Sequence, residues 1–246
     1  MDQRQVLERL PIFATVERRE QAIQAARALR RLRRRSFEAV TSPRYSRPEV
    51  DGLMRYLDFD GGYFVEAGAN DGFRQSNTYF LERFRGWRGV LIEPIPELFR
   101  WCLRQRPRAR CFNCALVEPE AAGATTVMRF GDLMSHTVSP DDVPVDLECA
   151  NWGWSRAYDV TVPTKTLSQV LDEAPAPRWD FLSLDLEGYE GRALRGLDLD
   201  RHRPRYILVE AEPAATRLPP LQRLLEGRYE LADQLGSRDF LFRRAD

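Results

Sequence analysis

The sequence predicts an α/β fold: a seven-stranded, mostly parallel sheet with an antiparallel C-terminal hairpin, preceded by an N-terminal helical appendage. Three observations predict it. Residues 63–94 run as an apolar strand, a glycine turn, a short helix and a second apolar strand, the order of a parallel βαβ unit. Phe181 to Leu186 is another apolar run, and its end carries Asp185 and Glu187, at the strand tip where open α/β sheets place their chemistry. Tyr229–Leu235 and Asp239–Arg243 then read as a terminal hairpin.

The chain has 246 residues, 43% hydrophobic and 30% charged, with zero formal net charge. That suits a soluble chain with one sizeable α/β domain, residues 58–246, behind an appendage at 1–57. A neutral balance supplies no overall field toward nucleic acid or membrane. Met1–Leu10 carries charges and lacks an apolar core, and no apolar run reaches bilayer length, so no signal segment or membrane span is expected and a cytoplasmic location is. Cys111 and Cys114 could form half a zinc site, but no second pair or nearby His completes it. Free thiols in a reducing compartment are the expectation.

Within residues 1–57, Val6, Leu10 and Phe13 give a weak apolar stripe and Ile23, Ala26 and Leu29 a better one, which suggests a homodimer contact. Arg27–Arg35 contains six arginines. It is either a basic arm for nucleic acid or an anionic surface, or a solvated helix face; the lack of interleaved aromatics favours the latter. Glu49–Leu57 reads as a helix leading into the core. Next come the strand Tyr63–Glu66, the helix Thr78–Phe84 capped from Ser76, Asn77 or Thr78, and the strand Gly89–Ile92 tipped by Glu93.

Pro96–Gln105 is a helix and Ala109–Leu116 a third strand. Thr125–Phe130 and Tyr158–Val162 alternate as strands, with an irregular insertion, residues 131–157, between them. Its length and its Trp152 and Trp154 suit a lid or binding loop, or a loop packed on the core. Thr164–Ala174, capped by Thr164 or Thr166, Glu190–Leu197 and Pro219–Glu226 read as helices, and Arg205–Glu210 as a strand tipped by acids.

The turn after the first strand identifies a ligand class. Glu66-x-Gly68-x-Asn70-x-Gly72 places an acid ahead of the glycines, where it repels a pyrophosphate but can pair with an ammonium group. S-adenosylmethionine offers that ammonium together with a ribose, and an acid roughly 20 residues past the glycines, here Glu93, holds a ribose hydroxyl. A dehydrogenase of Rossmann type is the alternative within the same fold class.

The blocks EAGANDG, SNTYFLE, GWRGVLIEP and FLSLDLEGYE, in that order between Gly61 and Glu212, resemble the FkbM family of S-adenosylmethionine-dependent methyltransferases. The resemblance implies a class I methyltransferase fold and an O-methyltransferase acting on a sugar, glycan or secondary-metabolite hydroxyl. It also implies cofactor contacts at Glu66, Gly68, Ala69, Asn70, Asp71, Gly72, Ser76, Asn77 and Thr78 around the methionine end, with Glu93 on the ribose. Asn113 and Ala115 are candidates for the adenine pocket, although Asn113 equally suits a turn cap.

An acceptor hydroxyl needs a base or a metal beside it. Asp185 and Glu187 form the strongest candidate pair, with His136 as a second base candidate. Two such carboxylates need a counter-charge: a metal, the cofactor ammonium or a proton. Glu210 on the neighbouring tip could add a third oxygen ligand for a divalent cation such as magnesium.

Overall fold

A computed structural model describes residues 50–130, 136–137 and 158–245. Residues 1–49 of the appendage, with its arginine run, and most of the 131–157 insertion lie outside the described residues, as does the side chain of His136.

The elements follow the predicted order. Helix α1 (Val50–Leu57) leads into β1 (Tyr63–Ala67), α2 (Tyr79–Phe84), β2 (Arg88–Ile92), α3 (Pro96–Gln105) and β3 (Ala109–Phe112). Then come β4 (Ala115–Leu116), β5 (Thr125–Phe130), β6 (His136–Thr137) and β7 (Tyr158–Lys165). The chain continues through α4 (Leu167–Glu173), β8 (Phe181–Leu184), α5 (Glu190–Arg195), β9 (Tyr206–Glu210) and α6 (Ala214–Leu225), and closes with β10 (Tyr229–Gln234) and β11 (Asp239–Arg244).

Seven strands form the main sheet in the order β10-β11-β9-β8-β1-β2-β3, with β11 antiparallel to both neighbours and the rest parallel. Strand alternation sorts the side chains onto two buried faces. Val65, Ala67, Val90, Ile92, Leu182 and Leu184 meet α4, α5 and α6 on one face. Phe64, Leu91, Phe181 and Leu208 meet α1, α2 and α3 on the other. Being covered on both sides is why these strands read as unbroken apolar runs.

Three details depart from the sequence reading. The expected strand Ala109–Leu116 is two strands: β3 stays in the main sheet, whereas β4 joins a second, four-stranded sheet of order β4-β7-β5-β6. At the break, the Asn113 side-chain amide donates to the carbonyls of Glu93 (2.9 Å) and Pro94 (2.7 Å) and holds the two strand tips together. Helix α4 begins after Thr166, which forms a reciprocal capping box with Gln169, while Thr164 belongs to β7. Helix α6 begins five residues earlier than expected, with Pro219 and Pro220 inside it rather than at its first turn.

Strands β1 and β2 lie so close that Gly89 has no room for a side chain. A Cβ there would stand 2.1 Å from the Phe64 carbonyl oxygen and 2.6 Å from its ring. Gly89→Ala should therefore cost about 1–3 kcal/mol by overpacking, read as a lower urea midpoint at unchanged slope; an unchanged midpoint would contradict this packing.

Candidate active site

The chain enters the sheet at β1, builds outward to β3, then crosses back to β8 on the other side of β1. The reversal opens a crevice at the C-terminal ends of β1 and β8, where open α/β sheets bind ligands. Ala67 pairs with Leu184, so Gly68 and Asp185 come next on the two strands. Gly68 has φ 79°, and a Cβ there would sit 1.8 Å from the Asp185 carbonyl oxygen. Only glycine lets the turn pass so close.

The cleft offers about 840 Å³ of space, part of it open to solvent. One wall is apolar: Ile92, Leu98, Cys114, Ala115, Leu116 and Met128. Leu98, Ala115 and Met128 belong to the small cluster beneath the second sheet, so that sheet furnishes the wall. Polar lining comes from Gly68, Asn70, Glu93, Asp185, Glu187 and Tyr189. Arg74, the lining cation, is ion-paired with Asp71 at 3.1 Å.

Glu93 is buried, and its two oxygens accept the backbone N–H groups of Asn70 and Ile95, each at 2.8 Å. Burial outweighs these hydrogen bonds and pushes its carboxyl up to about 8. Asn70 adopts φ 51°, bonds its own Oδ1 to the Asp71 N–H, and receives the Cys102 thiol on its carbonyl. Asp71 accepts the N–H groups of Phe73 and Arg74, so it shapes the turn from outside the lining.

Glu66 is placed differently from the expectation. It is 4% exposed and faces inward, not toward the cleft. It accepts the Ser76 hydroxyl (2.8 Å), the Asn77 N–H (2.8 Å) and the Thr78 hydroxyl (2.5 Å). Its counter-charge is Arg106, which sequence reasoning missed. The Arg106 Nη1 lies 3.4 Å from Glu66, and its Nε donates to Glu82 at 2.6 Å. The same guanidinium donates to Ser76 Oγ, Thr78 Oγ1 and the Gly72 carbonyl, and packs by the rings of Phe64 and Tyr79.

Ser76, Asn77 and Thr78 are buried with Glu66 and hold the turn; they do not line the cleft, nor do Ala69, Asp71, Gly72 or Asn113. Of the expected cofactor contacts, Gly68, Asn70, Glu93 and Ala115 line it. The signal for Arg106 was available: a buried strand-end Glu needs a cation, and nothing in linear spacing says which of many arginines supplies it.

At the mouth, Asp185, Glu187 and Glu210 bring carboxylate oxygens within 4.8 Å of one another. Glu187 sits at φ 51°, in the left-handed region that costs a non-glycine residue. Burial, then Asp185 and Glu190, push its carboxyl up to about 7. Burial, then Asp185, push Glu210 up to about 8, and a side-chain hydrogen bond joins the two. Of the three counter-charges expected here, the geometry itself accommodates the proton, on Glu210 and hydrogen-bonded to Asp185. Arg238 lies 3.2 Å from Glu210 and partly offsets the rise of both Glu210 and Glu187.

The chain matches the FkbM methyltransferase domain over residues 66–234. With that match laid on a doubly wound sheet and an acid-lined switch-point cleft, the chain defines itself as a class I methyltransferase. It belongs to the FkbM methyltransferase family. No curated protein matches it significantly. Solved structures similar to it include a TehB-like SAM-dependent methyltransferase from Corynebacterium glutamicum, 14% identical with TM-score 0.44, covering 90% of this chain and 100% of that one. Another is an O-methyltransferase from Bacillus cereus in complex with SAH, 13% identical with TM-score 0.45, covering 84% and 82%. A SAM-dependent methyltransferase from Aquifex aeolicus is 10% identical with TM-score 0.43, covering 81% and 89%. The family assignment rests on the domain match. Among the described residues no helix is long and apolar enough to cross a membrane.

Arg106→Met should leave Glu66 and Glu82 as uncompensated buried charges and cost about 3–5 kcal/mol; urea denaturation showing less than about 1 kcal/mol would remove Arg106 as the organiser of the turn. The raised carboxyls give a second prediction. The folded protein holds protons on Glu187, Glu210 and Glu93 that the unfolded chain, at its ordinary value of 4.5, has already released. Their contribution to stability therefore falls as pH rises from about 4.5 through about 8. Thermal melts should show this loss, and Glu210→Gln should flatten it; a variant with the wild-type slope would contradict the proton on Glu210.

Proposed function

We propose that the chain transfers a methyl group from S-adenosylmethionine to a hydroxyl of a sugar, glycan or secondary metabolite. The single observation that carries the reading is the acid lining of the switch-point cleft: three carboxyls face it, able to give up protons to an entering cation, and its lining cation is already paired. Such a cleft favours a sulfonium and an ammonium and disfavours a pyrophosphate, which also tells against the dehydrogenase alternative.

The donor set fits the cofactor. The Glu93 oxygens each keep a lone pair beyond their backbone bond, suiting the paired hydroxyls of a ribose. The apolar wall of Leu98, Ala115, Leu116 and Met128 suits a flat base. Gly68 and Asn70 bring main chain to the edge of the same space. The bound cofactor would supply the electrophilic methyl carbon.

The chain's own part is alignment and proton removal. In-line displacement is chiefly a positioning task, and an alcohol needs a base whose affinity for a proton lies near the working pH. Glu187, raised to about 7 at the cleft mouth, meets that requirement, with Asp185 beside it tuning its charge. In place of the proton and of Glu187 as base, the same cluster of Asp185, Glu187 and Glu210 would hold a divalent cation of the magnesium kind, which would polarise the acceptor oxygen.

Isothermal titration with S-adenosylmethionine tests the reading. The wild type should bind one equivalent, and Glu93→Gln should weaken binding about threefold to tenfold, since a neutral hydrogen bond contributes about 0.5–1.5 kcal/mol. No binding by the folded wild type would overturn the proposal.

A further inference from the structure

A second concave feature lies at the opposite end of the main sheet. Arg178 precedes β8, Arg201, Arg203 and Arg205 precede β9, and Arg244 ends the antiparallel β11. All five line one groove, about 1390 Å³ of space partly open to solvent, at the N-terminal ends of the parallel strands. Two aspartates share it. Asp180 is paired with Arg178, and Asp172 with Arg201, each at 2.9 Å.

Among the described residues, no carboxylate forms an ion pair with Arg203, Arg205 or Arg244. The backbone fixes these three together. Arg244 donates its N–H to the Arg205 carbonyl at 3.0 Å and its guanidinium to the Arg203 carbonyl at 3.1 Å. Arg205 in turn donates its N–H to the carbonyl of Trp179, on the groove floor, at 3.0 Å. Three exposed cations are thus held in one concavity whose two aspartates are already ion-paired to other arginines, with Arg205 resting 5.3 Å from the centre of the Tyr206 ring.

We propose that this groove is a second binding site, for a soluble phosphate ester or pyrophosphate. Guanidinium forks match phosphate oxygens two at a time, and several in one groove give geometry as well as charge. Single-stranded nucleic acid fits less well, because it wants exposed rings for stacking and Trp179 is 8% exposed. A membrane surface fits less well too. The large exposed apolar side chains of the described chain are Phe84, Leu103, Val127 and Leu231, none of them in the groove. The site stands apart from the methyl-donor cleft and does not depend on that reading.

Calorimetric titration of the full chain with inorganic pyrophosphate at low salt tests the site. The wild type should bind, and added salt should weaken binding by screening. Replacing Arg203, Arg205 and Arg244 together by Gln should weaken it about tenfold or more, while S-adenosylmethionine affinity and far-ultraviolet circular dichroism stay unchanged. Arg205→Gln alone, which removes no hydrogen bond of the fold, should weaken it in the same direction; Arg30→Gln with Arg33→Gln should not. The site is refuted by a wild type that ignores pyrophosphate, by equal affinity in the Arg205→Gln variant, or by binding confined to anionic vesicles or to single-stranded DNA.

Discussion

One guanidinium organises the upper half of this domain. Arg106, at the end of α3, reaches under the glycine turn and ties together the tip of β1, the first turn of α2 and the loop between them. Its partners Glu66 and Glu82 are nearly inaccessible, so either acid without the arginine would be a buried, uncompensated charge. A buried pair of this kind adds little net stability over an apolar filling of the same shape. What it supplies is a single geometry for the turn, and everything facing the cleft inherits that geometry.

The inheritance can be followed atom by atom. With the turn held from beneath, Asn70 is kept at a positive φ and presents its N–H to Glu93 across the β1–β2 gap. Asn113 pins the carbonyls just after Glu93, which turns the chain from the main sheet into the second one and so brings Ala115 to the cleft wall. On the far side, the Asp185 carbonyl abuts Gly68, setting the height of the Asp185–Glu187 loop. Among the described residues, positive φ outside glycine occurs at Asn70, Gln75 and Glu187, all lining the cleft. Strain gathered at one crevice and acids raised toward neutrality at its mouth are properties expected of a reacting site.

Most of the fold was legible because its strands are buried on both faces, so composition alone marks them, and because glycine turns and acidic tips punctuate their ends. The second sheet was not, since β4 is two residues long and its separation from β3 depends on the Asn113 amide rather than on any local pattern. The candidate site was legible by strand end: Gly68, Asn70, Glu93, Ala115, Asp185 and Glu187 all line the cleft. Glu66 was expected at the ligand, and its need for a cation was sound, but strand alternation turns its side chain away from the cleft lining, toward an arginine 40 residues along the chain. Sequence shows that a buried acid must be answered and cannot show by what. Leu98, Met128 and Tyr189 were likewise silent, being ordinary core or loop residues until the second sheet folds over the crevice.

The central claim is that the acid-lined crevice beside β1 receives a methyl donor with its ribose on Glu93. A crystal structure of the protein grown with S-adenosylhomocysteine tests it most directly. The ribose hydroxyls should lie within hydrogen-bonding distance of both Glu93 oxygens, with the base against Leu98, Ala115 and Met128 and the sulfur facing Glu187. A ligand bound elsewhere, or a ribose turned away from Glu93, would contradict it.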